Sequence, residues 1–539
     1  MRSKTIIVYA LMLLPATLFA QVNTKPVPPP ASNYFAGTLS FLSSDWMEGR
    51  ETGTKGGFMA ADYIASMMQL FGLVPFGDKA KVGDKGNNRL SYFQDFEVIR
   101  YKTEKASLAF ILHNATSQSV FQLAQGIDFE VKSGPNSMEA EAPVVFAGYG
   151  ISTADKGYED YKGLNMKGKI VIVLEGFPGH ADTTSIAWKK FGKYAGEDGA
   201  SIETKLQNAK IHGAVALIVL DATGRFEPYK IEQSNQSLLN STMNSTKNTD
   251  VEYEEYYHTL PNDTTNRVIP YFRLGSTASN QLIAGTGLNL TDFEKNAAKS
   301  VNPSSMSLKD KVLHFLITVK SEPLLVRNVL GMIPGKDKTK YIILGGHYDH
   351  LGMHNGQIFN GSDDNASGAS GVLALARTWV ESGVQPACNL IFASWSSEEE
   401  GLLGSQYFVE NMSINSKNII LYFNLDMISR SVAEDTARRQ LSIGTRTSDE
   451  YIREIARKNN STLSHPFVLD LWDVTHHSGS DYASFTAKNI PIMTYNTGLH
   501  YDYHTPRDIS ANADLVKMGD VLKLVNSSLQ EVLDNKKGE

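Results

Sequence analysis

The chain has 539 residues, 42% hydrophobic and 20% charged, with a formal net charge of -7. That length exceeds one ordinary domain, the balance suits a protein that buries a core, and mild acidity excludes the basic footprint of a nucleic-acid binder. Cys388 is the only cysteine, which excludes an internal disulfide and every thiolate-rich metal site, so a metal here must use His, Asp and Glu.

Residues 1–20 place Arg2 and Lys4 before an apolar run from Ile6 to Leu14, then small residues up to Ala20. This is the pattern of a secretory signal peptide, so the chain is expected to be exported, periplasmic or secreted. No segment reaches the ~18 consecutive apolar residues of a membrane helix, and no stable membrane insertion is expected. Tyr34 to about Leu73 reads as helix, FAGTLSFLSSDWMEGR and FMAADYIASMMQLFGL around a Gly/Thr turn. YFQDFEVIRY and SLAFILH read as paired strands.

From about Phe129 the texture changes to short strands, APVVFAGYGI, GKIVIVLEG and GAVALIVLD, with a helix from about Ile202 to His212. QSNQSLLNSTMNSTKNTD reads as a long surface loop. The block from 129 to 310 is expected to be a β-rich domain inserted between the stretch 21–128 and the C-terminal part, 311–539. From Val326 strands and helices alternate: RNVLGMIPG, KYIILGGH, a helix from about Ala369 to Glu381, NLIFASWS, a helix around Gln406, NIILYFNLDMI and PIMTYNTG. Alternation of this kind predicts an α/β fold, a mostly parallel sheet flanked by helices, with ligands at the carboxyl ends of the strands.

At those ends stand acids and histidines. His347 ends KYIILGGH, and Asp349 lies where a carboxylate can orient an imidazole through its second nitrogen. GSDDNASG puts Asp363 and Asp364 in a Gly-bounded loop; such residues also cap helices, but adjacent carboxylates repel, and a dication would offset the repulsion. Glu398, Glu399 and Glu400 follow a buried strand, where an uncompensated acidic run is costly, so one can bind metal while its neighbour moves protons. Asp426 ends an almost wholly apolar segment, and a buried lone aspartate is rare unless paired or metal-bound. His504 in YHTPRD is followed by Asp508, which can orient it. Two zinc ions, each with one His, one terminal carboxylate and a share of Asp364, fit this donor set, with cobalt or manganese as substitutes.

In this order GGHYDHLG, GSDDNASG, the Glu-Glu-x-Gly of SSEEEGLLGS, NLDM and HTPRD resemble metallopeptidase family 28, the bimetallic zinc aminopeptidases. The resemblance implies the zinc-exopeptidase fold, with His347, Asp364, Glu399, Asp426 and His504 as ligands of two zinc ions, Asp364 bridging. It also implies Glu398 as general base and Asp349 as its catalytic companion, acting on a peptide substrate. VVFAGYGI, YEDYKGLNMKGKIVIVLEG and AKIHGAVALIVLD are similar to the protease-associated domain often inserted in this family, and 21–128 resembles the start of its peptidase domain. The same metals also serve dipeptidases and carboxypeptidases, which hold a substrate carboxylate with Arg or Lys; Arg430 and Arg507 keep that alternative open. The family scaffold also carries non-catalytic binding proteins, although here every motif position is filled.

Overall fold

In the computed structural model, which describes residues 26–79, 90–113, 118–153, 158–194, 200–221, 256–261, 269–300, 305–475 and 477–535, the apolar runs of the C-terminal half lie side by side in one sheet. The expected signal peptide and the Asn/Ser/Thr-rich loop lie outside the described residues. Strand order is Val468–Asp473, Gln440–Thr445, Ile492–Asn496, Ile419–Leu425, Asp337–His347, Cys388–Trp395, then the end of Met306–Ile333. Asp337–His347 pairs in parallel with both neighbours, whereas Met306–Ile333 and Gln440–Thr445 each add an antiparallel pair. The mostly parallel sheet predicted from the alternation is therefore present.

Both faces are covered, which is why these strands are apolar along their length rather than alternating. Helices Ser32–Leu42, Lys55–Phe71, Gly368–Ser382 and Leu515–Asn535 bury Leu39, Ile64, Leu373 and Leu522 against Leu344, Phe392 and Phe423. On the opposite face Phe408 and Phe485 pack on Trp395 and Tyr422, the last stacked on Phe485 at 3.7 Å. Lys55–Phe71 starts where Thr54 Oγ1 accepts the Gly57 N–H at 3.4 Å and stops at Gly72, whose φ of 88° suits glycine.

Two expectations differ from the structure. The helix read through DWMEGR ends at Leu42, and Asp45–Arg50 forms a tight turn. Gly49 there has φ 71°, and a Cβ on it would lie 2.4 Å from the Gly352 carbonyl, so the turn requires glycine for close approach. YFQDFEVIRY and SLAFILH are not a pair but one 21-residue strand, Phe93–His113. It pairs antiparallel with the 28-residue Met306–Ile333, from Phe93 opposite Val329 to Leu112 opposite Lys311. Its polar middle, with Glu104 and Lys105 exposed, is a solvated stretch between two cores rather than a turn.

These two strands carry the sheet into the middle of the chain, where Met138–Phe146, Ile170–Leu174, Ala216–Leu220, Tyr271–Leu274 and Phe129–Lys132 extend it in that order. Leu108, Phe110, Phe146, Ile172, Phe272 and Phe315 form a second core there. Ser201 Oγ accepts the Thr204 N–H at 3.1 Å and starts helix Ile202–Ile211, a cap worth about 1 kcal/mol.

Candidate metal centre

Strand ends deliver the side chains. His347 closes Asp337–His347, Asp426 follows Ile419–Leu425, and Glu398 and Glu399 lie in the loop after Cys388–Trp395. Asp364 comes from the loop preceding Gly368–Ser382, and His504 from the loop after Ile492–Asn496. Two groups result among the described residues: His347, Glu398 and Asp426, and His350, Asp364, Glu399 and His504, with candidate ligand atoms in each group within 4.8 Å of one another.

Asp364 joins them. Its Oδ1 lies 3.4 Å from His347 Nε2, and its Oδ2 lies 3.0 Å from His504 Nε2. On the first side Asp426 Oδ1 is 3.4 Å and Glu398 Oε2 3.8 Å from His347 Nε2. On the second, Glu399 places Oε1 2.7 Å from His350 Nδ1 and Oε2 3.3 Å from His504 Nε2. Six residues singled out from the sequence, His347, Asp364, Glu398, Glu399, Asp426 and His504, converge here, and His350 joins them.

Buried polar atoms normally have partners, and leaving one without costs about 1–3 kcal/mol. His347 Nε2 and Asp426 Oδ1, 3.4 Å apart, are buried with no hydrogen-bond partner. Oxygen and imidazole donors without sulfur, gathered in two groups with orphaned atoms facing each other in the first, fit two borderline dications.

The electrostatics agree. Burial pushes the His347 imidazole down, but the charges of Glu398 and Asp426 and the facing Asp364 carboxylate hold it well above the ordinary histidine value. Burial pushes the Asp364 carboxyl up, yet the facing His347 imidazole and the hydrogen bond with His504 hold it well below the usual range. The Glu398 carboxyl is held well above that range by burial, reinforced by Asp426, Glu399 and Asp481, against the pull of His347. Crowded acids and imidazoles sharing protons are the set from which a dication releases them.

Supporting contacts fix these loops. Asp349, pushed up to about 6 chiefly by burial, accepts the Glu398 N–H on Oδ1 at 3.2 Å and the Glu399 N–H on Oδ2 at 3.3 Å. The His347 Nδ1–H donates to the Asp349 carbonyl at 3.2 Å, and the Asp349 carboxylate is 3.8 Å away. Asp363 faces away from the cluster, accepting the Ser429 N–H at 2.7 Å and its hydroxyl at 2.8 Å, which separates the adjacent acids. Asp508 does not orient His504. Its carboxylate accepts the N–H groups of Asp363 and Asp364, at 3.1 Å for the latter, and anchors the bridging loop instead.

Sequence reasoning missed two residues. The only signal for His350 was its place in GGHYDHLG, three residues after His347. Arg50, fully buried, donates to the carbonyls of Tyr348, Leu42, Asn360 and Gly361 at 2.6–2.8 Å, tying the His347 loop to the Asp364 loop. Burial lowers its guanidinium to about 10. Glu400 points out of the cluster to His258 on Tyr257–Thr259.

Residues 328–528 match the model of Peptidase family M28. A "Probable zinc metalloprotease" of Pyrenophora teres f. teres is 33% identical over 118 residues, 21% of this chain and 25% of that protein. A "Probable leucine aminopeptidase" of Arthroderma benhamiae is 28% identical over 207 residues, 37% of this chain and 55% of that protein. The chain thus spans about a quarter to about half the length of these curated relatives. Among solved structures, the aminopeptidase from Aneurinibacillus sp. strain AM-1 superposes with a TM-score of 0.54 at 20% identity over 94% of each chain, which shows a shared fold.

Proposed function

We propose, from the premise that residues 328–528 belong to peptidase family M28, that this chain is a two-zinc exopeptidase releasing N-terminal residues from peptides. The observation that carries this reading is Asp364, which turns one carboxylate oxygen to each of two ligand groups. His347 and Asp426 would hold one zinc, Glu399 and His504 the other, and Asp364 both. When bound, the zinc ions supply Lewis acidity to a scissile carbonyl and acidify water. His350 Nδ1 at 2.7 Å from Glu399 fixes that carboxylate.

Glu398 is the base. Its carboxylate oxygen, 3.8 Å from His347 Nε2, stands in the first group, placed to take a proton from the attacking water and return it to the leaving amine nitrogen. Asp349 positions it through the Glu398 N–H. Arg430 and Arg507 both bind Asp502 at 2.8 Å, which favours the aminopeptidase over the carboxypeptidase reading.

We further infer that residues 129–310 form a protease-associated insert and that residues 1–20 direct export to the periplasm or medium. No described helix is long and apolar enough to cross a membrane. Aminoacyl and N-blocked peptide substrates test the activity, with chelation and zinc restoration. The expected outcome is zinc-dependent cleavage of free-amine substrates alone; cleavage of blocked peptides at the C-terminus defeats the reading.

A further inference from the structure

A cavity of about 520 Å³ opens beside Asp426, at the edge of the His347 group, and runs along strands Gln440–Thr445 and Val468–Asp473. We propose that it receives the side chain of the substrate's N-terminal residue, and that Asp470 and Trp472 select lysine and arginine there. This rests on the aminopeptidase reading above and adds a substrate class to it.

Period-two geometry lines up the selecting groups. Val468, Asp470 and Trp472 share one face of their strand, and all three border the cavity. On the neighbouring strand Ser442 stands opposite Asp470 and Gly444 opposite Trp472. A Cβ on Gly444 would lie 2.7 Å from Trp472 Cε2, so the missing side chain lets the indole lie across the strand. Tyr482 meets Trp472 edge to face at 5.7 Å and steadies it. The slot thus has apolar and aromatic walls with a carboxylate, which suits a side chain of apolar stem and cationic head.

Asp470 is available for that head. It accepts the Ser442 hydroxyl at 3.1 Å, and no Lys or Arg pairs with it among the described residues. Asp473, on the other face, is by contrast occupied by Thr447 and Thr475. No Lys or Arg borders the cavity, so an acidic side chain would meet only like charge.

Reach also selects. Between the strand that leads to Asp426 and the strand of Asp470 lie Ile492–Asn496 and Gln440–Thr445, making three strand spacings, about 14 Å. Part of that gap is covered by the substrate backbone and by the Asp470 side chain, and lysine and arginine, the longest cationic side chains, bring their charge nearest to Asp470. Leucine would fill the near end and leave Asp470 in water.

The test uses the full zinc-loaded chain and the p-nitroanilides of lysine, arginine, leucine and glutamate. Expected kcat/KM values rank lysine and arginine above leucine, with glutamate lowest. Asp470→Asn, at an exposed site, should lower the lysine and arginine values about fivefold, the scale of a partly solvated ion pair, and leave leucine within about twofold. Asp470→Lys should raise glutamate and depress lysine. Leucine preferred over both basic substrates, or unchanged lysine and arginine rates in Asp470→Asn, overturns the specificity alone. Failure to cleave any free-amine substrate overturns the aminopeptidase reading and the inference with it.

Discussion

At the carboxyl end of Ile170–Leu174, Lys205 is buried and donates to the carbonyls of Leu174 and Gly176 at 2.7 and 2.6 Å. Nearby, buried Asp160 accepts the N–H groups of Tyr149 and Ile151, each at 3.0 Å. At the carboxyl end of Asp337–His347, on the same sheet, acids crowd together and imidazole nitrogens stay without partners. Burial shifts groups in both places: it pushes Asp160 up and Lys205 down, each to about 7, much as it raises Glu398. A displaced pKa therefore does not separate a catalytic centre from a structural one. The difference lies in convergence: Lys205 and the Oδ2 of Asp160 spend their hydrogen bonds on neighbouring backbone, whereas in the metal centre His347 Nε2 and Asp426 Oδ1, without partners, face each other.

Breaking each region separately tests that contrast. Glu398→Gln should lower kcat by about 10³-fold while two zinc ions per chain remain, read by steady-state kinetics beside metal analysis; near-normal hydrolysis would remove Glu398 from the proton path. Asp364→Asn should leave fewer than two zinc ions per chain, and two tightly held ions would end its bridging role. Lys205→Met should behave oppositely. It leaves the buried carbonyls of Leu174 and Gly176 without their donor, so denaturant unfolding should show a loss of about 1–3 kcal/mol with zinc content unchanged.

A smaller effect sharpens the comparison with a buried pair outside both regions. Lys517 donates to Asp435 at 2.9 Å. Burial alone would raise the Asp435 carboxyl, but Lys517 and the N–H groups of Arg439 and Gln440 hold it at about 2. The folded value lies below the unfolded one, so this stabilisation is present above about pH 4 and lost as pH falls toward 2. Asp435→Asn should flatten that slope, by about 2 kcal/mol, in acid titrations of unfolding.

The parallel sheet and its ligand-bearing ends were legible because strands covered on both faces write long apolar runs, as in NLIFASW and IILYFNL. Asp426 stood out for the same reason. Arg50 was illegible, since nothing in DWMEGR shows that its donors meet four carbonyls from distant loops. Asp508 was misread because sequence proximity to His504 says nothing of the Asp364 loop folded against it. The long strand Phe93–His113 was hidden by its own exposed charges, which look like a turn when the partner strand is unseen.

That strand and Met306–Ile333 also bear on any attempt to simplify the molecule. At about 3.3 Å per residue the 28 residues of Met306–Ile333 form a beam on the order of 90 Å, shared by both cores. Excising the middle of the chain would cut through this beam and expose raw hydrogen-bonding edges, the surfaces on which strands from other molecules add. The two halves are mechanically one piece, so a shortened catalytic half should aggregate unless the cut ends are re-engineered as edges.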